Sequence, residues 1–338
     1  MLPGNLGCLH FLCLFSLQKH FMKLIAAFLR LVRLPNLVII AVTQLLFYFT
    51  LVHPFYSKNE DVYSTFTSRH FILLIVSSLL IAAAGNIIND YFDLNIDEVN
   101  KPEKKIIDKL IKRRWAIVMH IVFSVTGILL GFYIDFQTPV FWLGFSNLIC
   151  VLLLFGYSIS LKKKLLVGNI LVSLLTAWVI LVCFFCYYRA FHCYKCEVSE
   201  WQAELRRFIR ISFLYASFAF VISLIREVVK DMEDMEGDVR YGCRTMPIVW
   251  GIPASKVFVA VWVVVLIGMI SVVQFYVLQL GWLWSAMYCI ALIILPLVWI
   301  LRKLFMAQVP KDYHELSNVI KFVMLTGLLS MIFFKIYS

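Results

Sequence analysis

Charge is what this chain has least of. Only 15% of its 338 residues are Asp, Glu, Lys or Arg, with 20 acids against 31 bases. A soluble domain carries roughly 25% charged and about 45–50% apolar residues. Here 62% are hydrophobic and mean hydropathy is +0.88. That scarcity excludes a soluble globular domain. The apolar residues recur in blocks of about 20, the length of a bilayer-spanning helix. Open sheet edges are not viable in lipid. The expected fold is therefore all-α: a polytopic membrane protein of about nine transmembrane helices in one bundle around a central cavity.

The nine spans are expected near 36–54, 70–92, 115–135, 140–160, 165–188, 208–229, 255–276, 280–301 and 317–336. Short loops make neighbours antiparallel. The net charge of +11 does not point to nucleic acid, because the bases are sorted. With the N-terminus inside, 23 of the 31 fall in inner segments, as the positive-inside rule requires. The segment 189–210 dissents, with Arg189, Lys195, Arg206, Arg207 and Arg210 outside. Its "EWQAELRRFIR" reads as an amphipathic helix lying on the surface.

A leader is poorly supported. Residues 1–21 lack a basic n-region and a clear small-residue cleavage site. They read as an N-terminal extension, or as a start assigned upstream of Met22, ahead of a single transmembrane domain at 22–338. Cys183, Cys186, Cys193 and Cys196 form C-x2-C-x6-C-x2-C, a spacing that zinc sites use. Two of them fall inside an apolar helix, however, where a free thiol is a small hydrophobe. Packing and an outer-face disulfide both compete with metal here.

What stands out against this background is acid. Asp90, Asp93 and Asp97 share an i, i+3, i+7 spacing, and so do Asp231, Asp234 and Asp238. On a helix each trio lies on one face. Asn86 and Asn89 extend the first set upstream, and Glu227 sits one turn before the second. Each trio lies at the inner end of a span and is followed by bases. A single D-x2-D is usually a solvated loop; two copies of one pattern are not so easily dismissed. Hard oxygen ligands favour Mg²⁺ or Ca²⁺ over zinc or copper. Magnesium usually takes one or two carboxylates and completes its shell with water and phosphate oxygens. Two facing clusters suggest Mg²⁺ sites around a diphosphate. Lys101, Lys104, Lys162, Arg226, Lys230 and Arg244 are candidate phosphate contacts, although each alone also fits the positive-inside bias. A diphosphate at the mouth of an apolar bundle implies a lipid tail running inward, and isoprenyl diphosphate fits.

"NIINDYFDLNIDEVNKP" resembles the first signature of the UbiA superfamily of intramembrane prenyltransferases, N-D-x2-D-x3-D followed by N-[RK]-P. "REVVKDMEDMEGDVRYGCRTMPI" resembles the second, D-x2-D-x3-D with a glycine at the sixth residue after its first Asp, then T-x-P. "RLPN", ending at Asn36, is similar to the family's start of helix one, and "YSISLKKK" from Tyr157 to its tyrosine–lysine loop. The step from Tyr157 to Lys162 is one residue longer than Y-x3-K, and Lys104, Lys105 and Ile106 stand where R-P-L is usual.

The resemblance implies Mg²⁺ held by Asn89, Asp90, Asp93 and Asp97, and by Asp231, Asp234 and Asp238. It implies an allylic diphosphate that ionises with water excluded, near aromatic faces such as Tyr91, Phe92 and Tyr157. Asn36, Asn89, Lys101, Lys104, Tyr157, Lys162, Arg226, Glu227, Lys230 and Arg244 are the implied diphosphate and acceptor contacts. The E-x2-K-D-x-E-D-x-E-G-D arrangement is most similar to the branch that transfers geranylgeranyl to geranylgeranylglyceryl phosphate. Glu227 or the departing diphosphate would take the hydroxyl proton. The alternative is an aromatic acceptor of quinone biosynthesis: 4-hydroxybenzoate, dihydroxynaphthoate or homogentisate. The expected location is a bacterial or archaeal cell membrane, with the site facing the cytoplasm. A transporter would more often carry mid-span carboxylates and broken helices. The D-G-x2-A-R opening of CDP-alcohol phosphotransferases is absent.

Overall fold

The computed structural model describes residues 22–57, 62–94, 98, 107, 111–193 and 197–337. A short helix α1 (22–31) precedes α2 (Leu34–Phe55) and α3 (Ser68–Phe92). Then come α4 (Arg113–Gln137), α5 (Leu143–Ile159), α6 (Val167–Ala190) and α7 (Val198–Glu233). Two short helices, α8 (Met235–Arg240) and α9 (Met246–Val249), lead to α10 (Gly251–Gln279), α11 (Leu283–Met306) and α12 (Pro310–Ile336). Eight of these are long and apolar enough to cross a membrane. The fourth expected span falls on α5, which has only 17 residues. With it, the described residues hold the nine expected segments.

The residues explain the element ends. Asp135 at the end of α4 accepts the first amides of α5, from Leu143 at 3.0 Å and Gly144 at 2.7 Å, and so caps that helix. Pro296 cannot supply a helix N–H, and α11 widens into a π-turn over Ile290–Ile294 just before it. Where α3, α4 and α5 cross, small residues let the backbones approach. Asn147 donates to Ser77 Oγ (2.8 Å) and the Gly127 carbonyl (3.1 Å), and Ser77 donates to that same carbonyl (2.8 Å). Satisfied polar groups and glycines of this kind hold membrane helices together where lipid offers no hydrophobic drive.

The surface reading of "EWQAELRRFIR" is overturned. These residues form the first turns of α7, one continuous helix of 36 residues. At 1.5 Å per residue it is roughly 54 Å long, well beyond a ~30 Å hydrocarbon core. Its polar start therefore projects past the apolar layer as an extension of the span. Tertiary packing holds it there: Phe208 packs on Phe55 and Phe191, and Trp201 on Phe55.

At that same end a two-stranded antiparallel ladder interrupts the helices. Strand β1 (Val62–Ser64) pairs with β2 (Phe191–Cys193), with Tyr63 opposite His192. Below it an aromatic plug of Phe47, Phe66, Phe71, Phe184 and Tyr187 seals the core. Cys183 and Cys186 are buried and free within α6, as the packing reading expects. Cys193 is disulfide-bonded, its partner lying outside the described residues. Zinc loses its ligand set on both counts, and no cluster of three metal-binding side chains occurs among the described residues.

The helices run antiparallel from this sealed end. α3 packs on α4 and α5, α6 on α7, and α7 on α10 and α12. α2 touches α3, α6 and α12, which brings the two sides of the bundle together. α3 and α7 consequently deliver Asp90 and Asp231 to one end, opposite the ladder.

Candidate active site

The first side chain to reach the aspartates is one the spacing did not single out. Arg33, between α1 and α2, adopts the left-handed conformation (φ 54°, ψ 57°). Non-glycine residues rarely do so, and such strain gathers at functional sites. The turn directs Arg33 onto Asp90, with Nη2 2.6 Å from Oδ1. Burial works against the Arg33 charge, but Asp90, helped by Tyr157 and Asp93, holds the guanidinium above its ordinary range. Asn36, one turn into α2, stands exposed. Asn86 ties the same turn down by donating to the Val32 carbonyl at 2.9 Å.

A second non-glycine residue with positive φ, Leu166 (φ 53°), begins α6 at this end of the bundle. The loop before it carries Lys162, which pairs with Asp93 and donates to Asn89 Oδ1 at 3.2 Å. Asn89 in turn donates to Asp93 Oδ2 at 2.8 Å. Gly168 makes this loop possible: a Cβ there would stand 2.8 Å from Lys162 Cα and 3.2 Å from the Tyr157 ring. One fewer residue between Tyr157 and Lys162 is not needed, because the loop folds into a 3-10 turn over Leu161–Lys163 that turns Lys162 inward.

The second segment closes on this one. Asp231 accepts from Asn169 Nδ2 at 2.8 Å. Sequence reasoning missed Asn169, whose only signal was an amide two residues into an apolar helix. Glu227 is buried and pairs with Arg226 at 2.7 Å, while Lys230 lies in the field of Glu227 and Asp234. The Arg244 side chain is exposed, yet its backbone N–H bonds the Lys163 carbonyl at 2.8 Å and so joins the two loops. Tyr157, at the end of α5, sits among Glu227, Asp231, Asp93 and Arg33. Tyr91 packs in the first-half core, and Phe92 is exposed. Asp97, Lys101 and Lys104 lie outside the described residues.

Asp238 registers the convergence. Its carboxyl is pushed up to about 6, by burial first and by Asp234 second, with Lys230 opposing. Asp93 and Lys162 of the other half act on it too. The folded state then holds a proton more tightly than the unfolded chain between the ordinary 3.8 and about 6. Stability is lost as pH rises through that window, and the full penalty stands above it. Without metal, Asp238→Asn should stabilise the protein at pH 7.5 and far less at pH 4. Thermal unfolding in a chelator reads this out, and a pH-independent difference would contradict it.

The donor set suits magnesium. Every candidate offers a hard oxygen, the ligand class that magnesium prefers.

The comparisons with known proteins agree on one assignment. The UbiA prenyltransferase family matches residues 49–319. The digeranylgeranylglyceryl phosphate synthase of Methanothermobacter thermautotrophicus is 33% identical over 266 residues, covering 78% of this chain and 84% of that one. The enzyme of the same name from Methanosphaera stadtmanae is 27% identical over 262 residues, covering 76% and 86%. A solved structure concerned with the biosynthesis of digeranylgeranylglyceryl phosphate synthase in membranes superposes with a TM-score of 0.60 at 23% identity, over 92% of this chain and 98% of that one. A UbiA homologue from Archaeoglobus fulgidus, bound to DMAPP and Mg²⁺, superposes at 0.54 with 13% identity, over 90% and 99%. The family match runs through both aspartate segments and the helices that bring them together, so this multi-pass membrane chain belongs to the UbiA prenyltransferase family.

Proposed function

We propose that the chain transfers a geranylgeranyl group from its diphosphate to the free hydroxyl of geranylgeranylglyceryl phosphate, releasing diphosphate. The observation that carries the site assignment is the 2.8 Å bond from the Arg244 N–H to the Lys163 carbonyl, which joins the chain after the second aspartate segment to the loop whose Lys162 pairs with Asp93 of the first. The acceptor follows from the relatives that bear the name digeranylgeranylglyceryl phosphate synthase and cover most of the chain. An aromatic acceptor finds no support among those relatives.

Mg²⁺ would be held by Asn89, Asp90 and Asp93 on one side and by Asp231, Asp234 and Asp238 on the other, with Asp97 completing the first set. When bound, it stabilises the negative charge that develops on the leaving diphosphate. The chain's own residues do the rest. Lys162 and Lys230 offer cations to the diphosphate oxygens, and Arg33 holds Asp90 in place. Asn169 fixes the rotamer of Asp231 by its hydrogen bond. Arg226 presents a buried Nε that has no partner among the described residues, suited to an acceptor phosphate. The bond from the allylic carbon to the diphosphate oxygen breaks, and the acceptor oxygen bonds to that carbon. Glu227, 7% exposed, or the departing diphosphate would take the hydroxyl proton. The aromatic plug keeps water from the far end, which protects the allylic cation.

The proposed orientation puts the carboxylate end at the cytoplasmic face, supported by Arg33, Lys112, Arg113, Arg114 and Lys162 to Lys164 at that end.

The test is a transfer assay on purified protein with Mg²⁺ and labelled geranylgeranyl diphosphate. Geranylgeranylglyceryl phosphate is the acceptor in one reaction; 4-hydroxybenzoate, homogentisate and dihydroxynaphthoate are offered in others. Product is expected with the first alone. Product only with an aromatic acid would overturn the acceptor assignment.

A further inference from the structure

A second cavity lies far from the carboxylates. It is a crevice between α7, α10, α11 and α12. Tyr215 and Phe218 line it from α7, 16 and 13 residues before Asp231. At the helical rise they stand roughly 24 and 20 Å from that carboxylate along the axis.

Its polarity is graded. Leu266 and Ile293 form the deep part, about 20 Å below the end of α10 and about 15 Å below the start of α11. Gln274, Trp282 and Ser285 stand at the mouth, where α10 turns into α11. None of the lining residues is charged. Gly327 is required at the wall, because a Cβ there would stand 2.3 Å from the Phe218 ring. The flanking face of α10 is open to lipid, with Val272 and Phe275 72% and 68% exposed.

Tyr215 OH and Ser330 Oγ bond each other at 2.9 Å. Gln274 is 8% exposed, and its Oε1 is buried with no hydrogen-bond partner among the described residues. A buried acceptor without a donor is unfavourable, and one such atom on a largely apolar wall calls for a ligand that brings the donor. Apolar walls of this depth do not hold water well.

We infer that this crevice binds one uncharged, hydroxyl-bearing lipid from the leaflet opposite the carboxylates, its chain between α7, α10 and α12 and its hydroxyl donating to Gln274. A charged headgroup finds no counter-charge in the lining. A pure hydrocarbon would leave Gln274 unpaired.

The experiment is native mass spectrometry of the full chain in detergent, titrated with 1-monooleoylglycerol, methyl oleate and phosphatidylglycerol. The wild type should take up one saturable equivalent of monooleoylglycerol, at least tenfold more tightly than methyl oleate or phosphatidylglycerol. Gln274→Leu should erase the preference for monooleoylglycerol over methyl oleate, and Ile270→Trp, which fills the crevice, should abolish the saturable equivalent. Gel filtration and thermal unfolding establish that each variant is folded; if Ile270→Trp is not, Gln274→Leu decides. A preference that survives Gln274→Leu, or uptake that never saturates in the wild type, overturns the proposal.

Discussion

Asp90→Ala and Asp234→Ala should each lower Mg²⁺-dependent transfer by about 10³-fold, the upper range for removing one preorganised electrostatic contact, and leave the fold intact. The two effects separate because of where the charges sit. Arg33, the partner of Asp90, keeps a side-chain exposure of 36%, so water can solvate it when the carboxylate is gone. A half-buried pair that water still reaches contributes on the order of 1 kcal/mol. Asp234 lies where α7 ends and α8 begins, and its side chain makes no capping bond to α8. Its removal should cost the helix little. Both variants should therefore elute and melt like the parent protein while failing to release diphosphate. Full activity in both would place the metal site elsewhere.

Lys162→Met should do damage of a different kind. Lys162 and Asp93 are 12% and 16% exposed, and the lysine also holds Asn89. Removing one partner of a sealed ion pair costs roughly 3–5 kcal/mol, because the other charge stays buried. Here Asn89 still donates to Asp93, so about 2 kcal/mol is the reasonable loss. Transfer should fall about 10²-fold as well, since a cation facing the diphosphate is gone. The double variant Lys162→Met with Asp93→Asn distinguishes the two effects. It removes both charges and should recover most of the stability while recovering none of the activity. Recovery of both would make the pair structural; recovery of neither would mean that the loop itself collapses without Lys162.

Much of the fold was legible because lipid leaves a chain few choices. Backbone polar groups in hydrocarbon must pair within the segment, so each apolar block became a helix. The expectation failed where composition and packing disagree. "EWQAELRRFIR" is polar enough to lie on a surface, and the sequence offers no local reason for it to stand upright. Its orientation comes from Trp201 and Phe208 meeting Phe55 and Phe191, residues far away in the chain. The ladder between Val62–Ser64 and Phe191–Cys193 has the same origin. Each strand is three residues long, too short to leave a periodic signal.

What the amino-acid sequence by itself determined was class and chemistry: membrane helices from hydrophobic length, and oxygen-ligand chemistry from two aspartate trios of identical spacing, because both are local properties of a segment. What only the tertiary structure decided was pairing. Arg33 reaches Asp90 through a left-handed turn, Lys162 reaches Asp93 across a loop, and Asn169 reaches Asp231 from another helix. No spacing encodes those contacts, since each joins side chains 57 to 69 residues apart. They exist because packing small residues against one another brings the inner helix ends within hydrogen-bond reach.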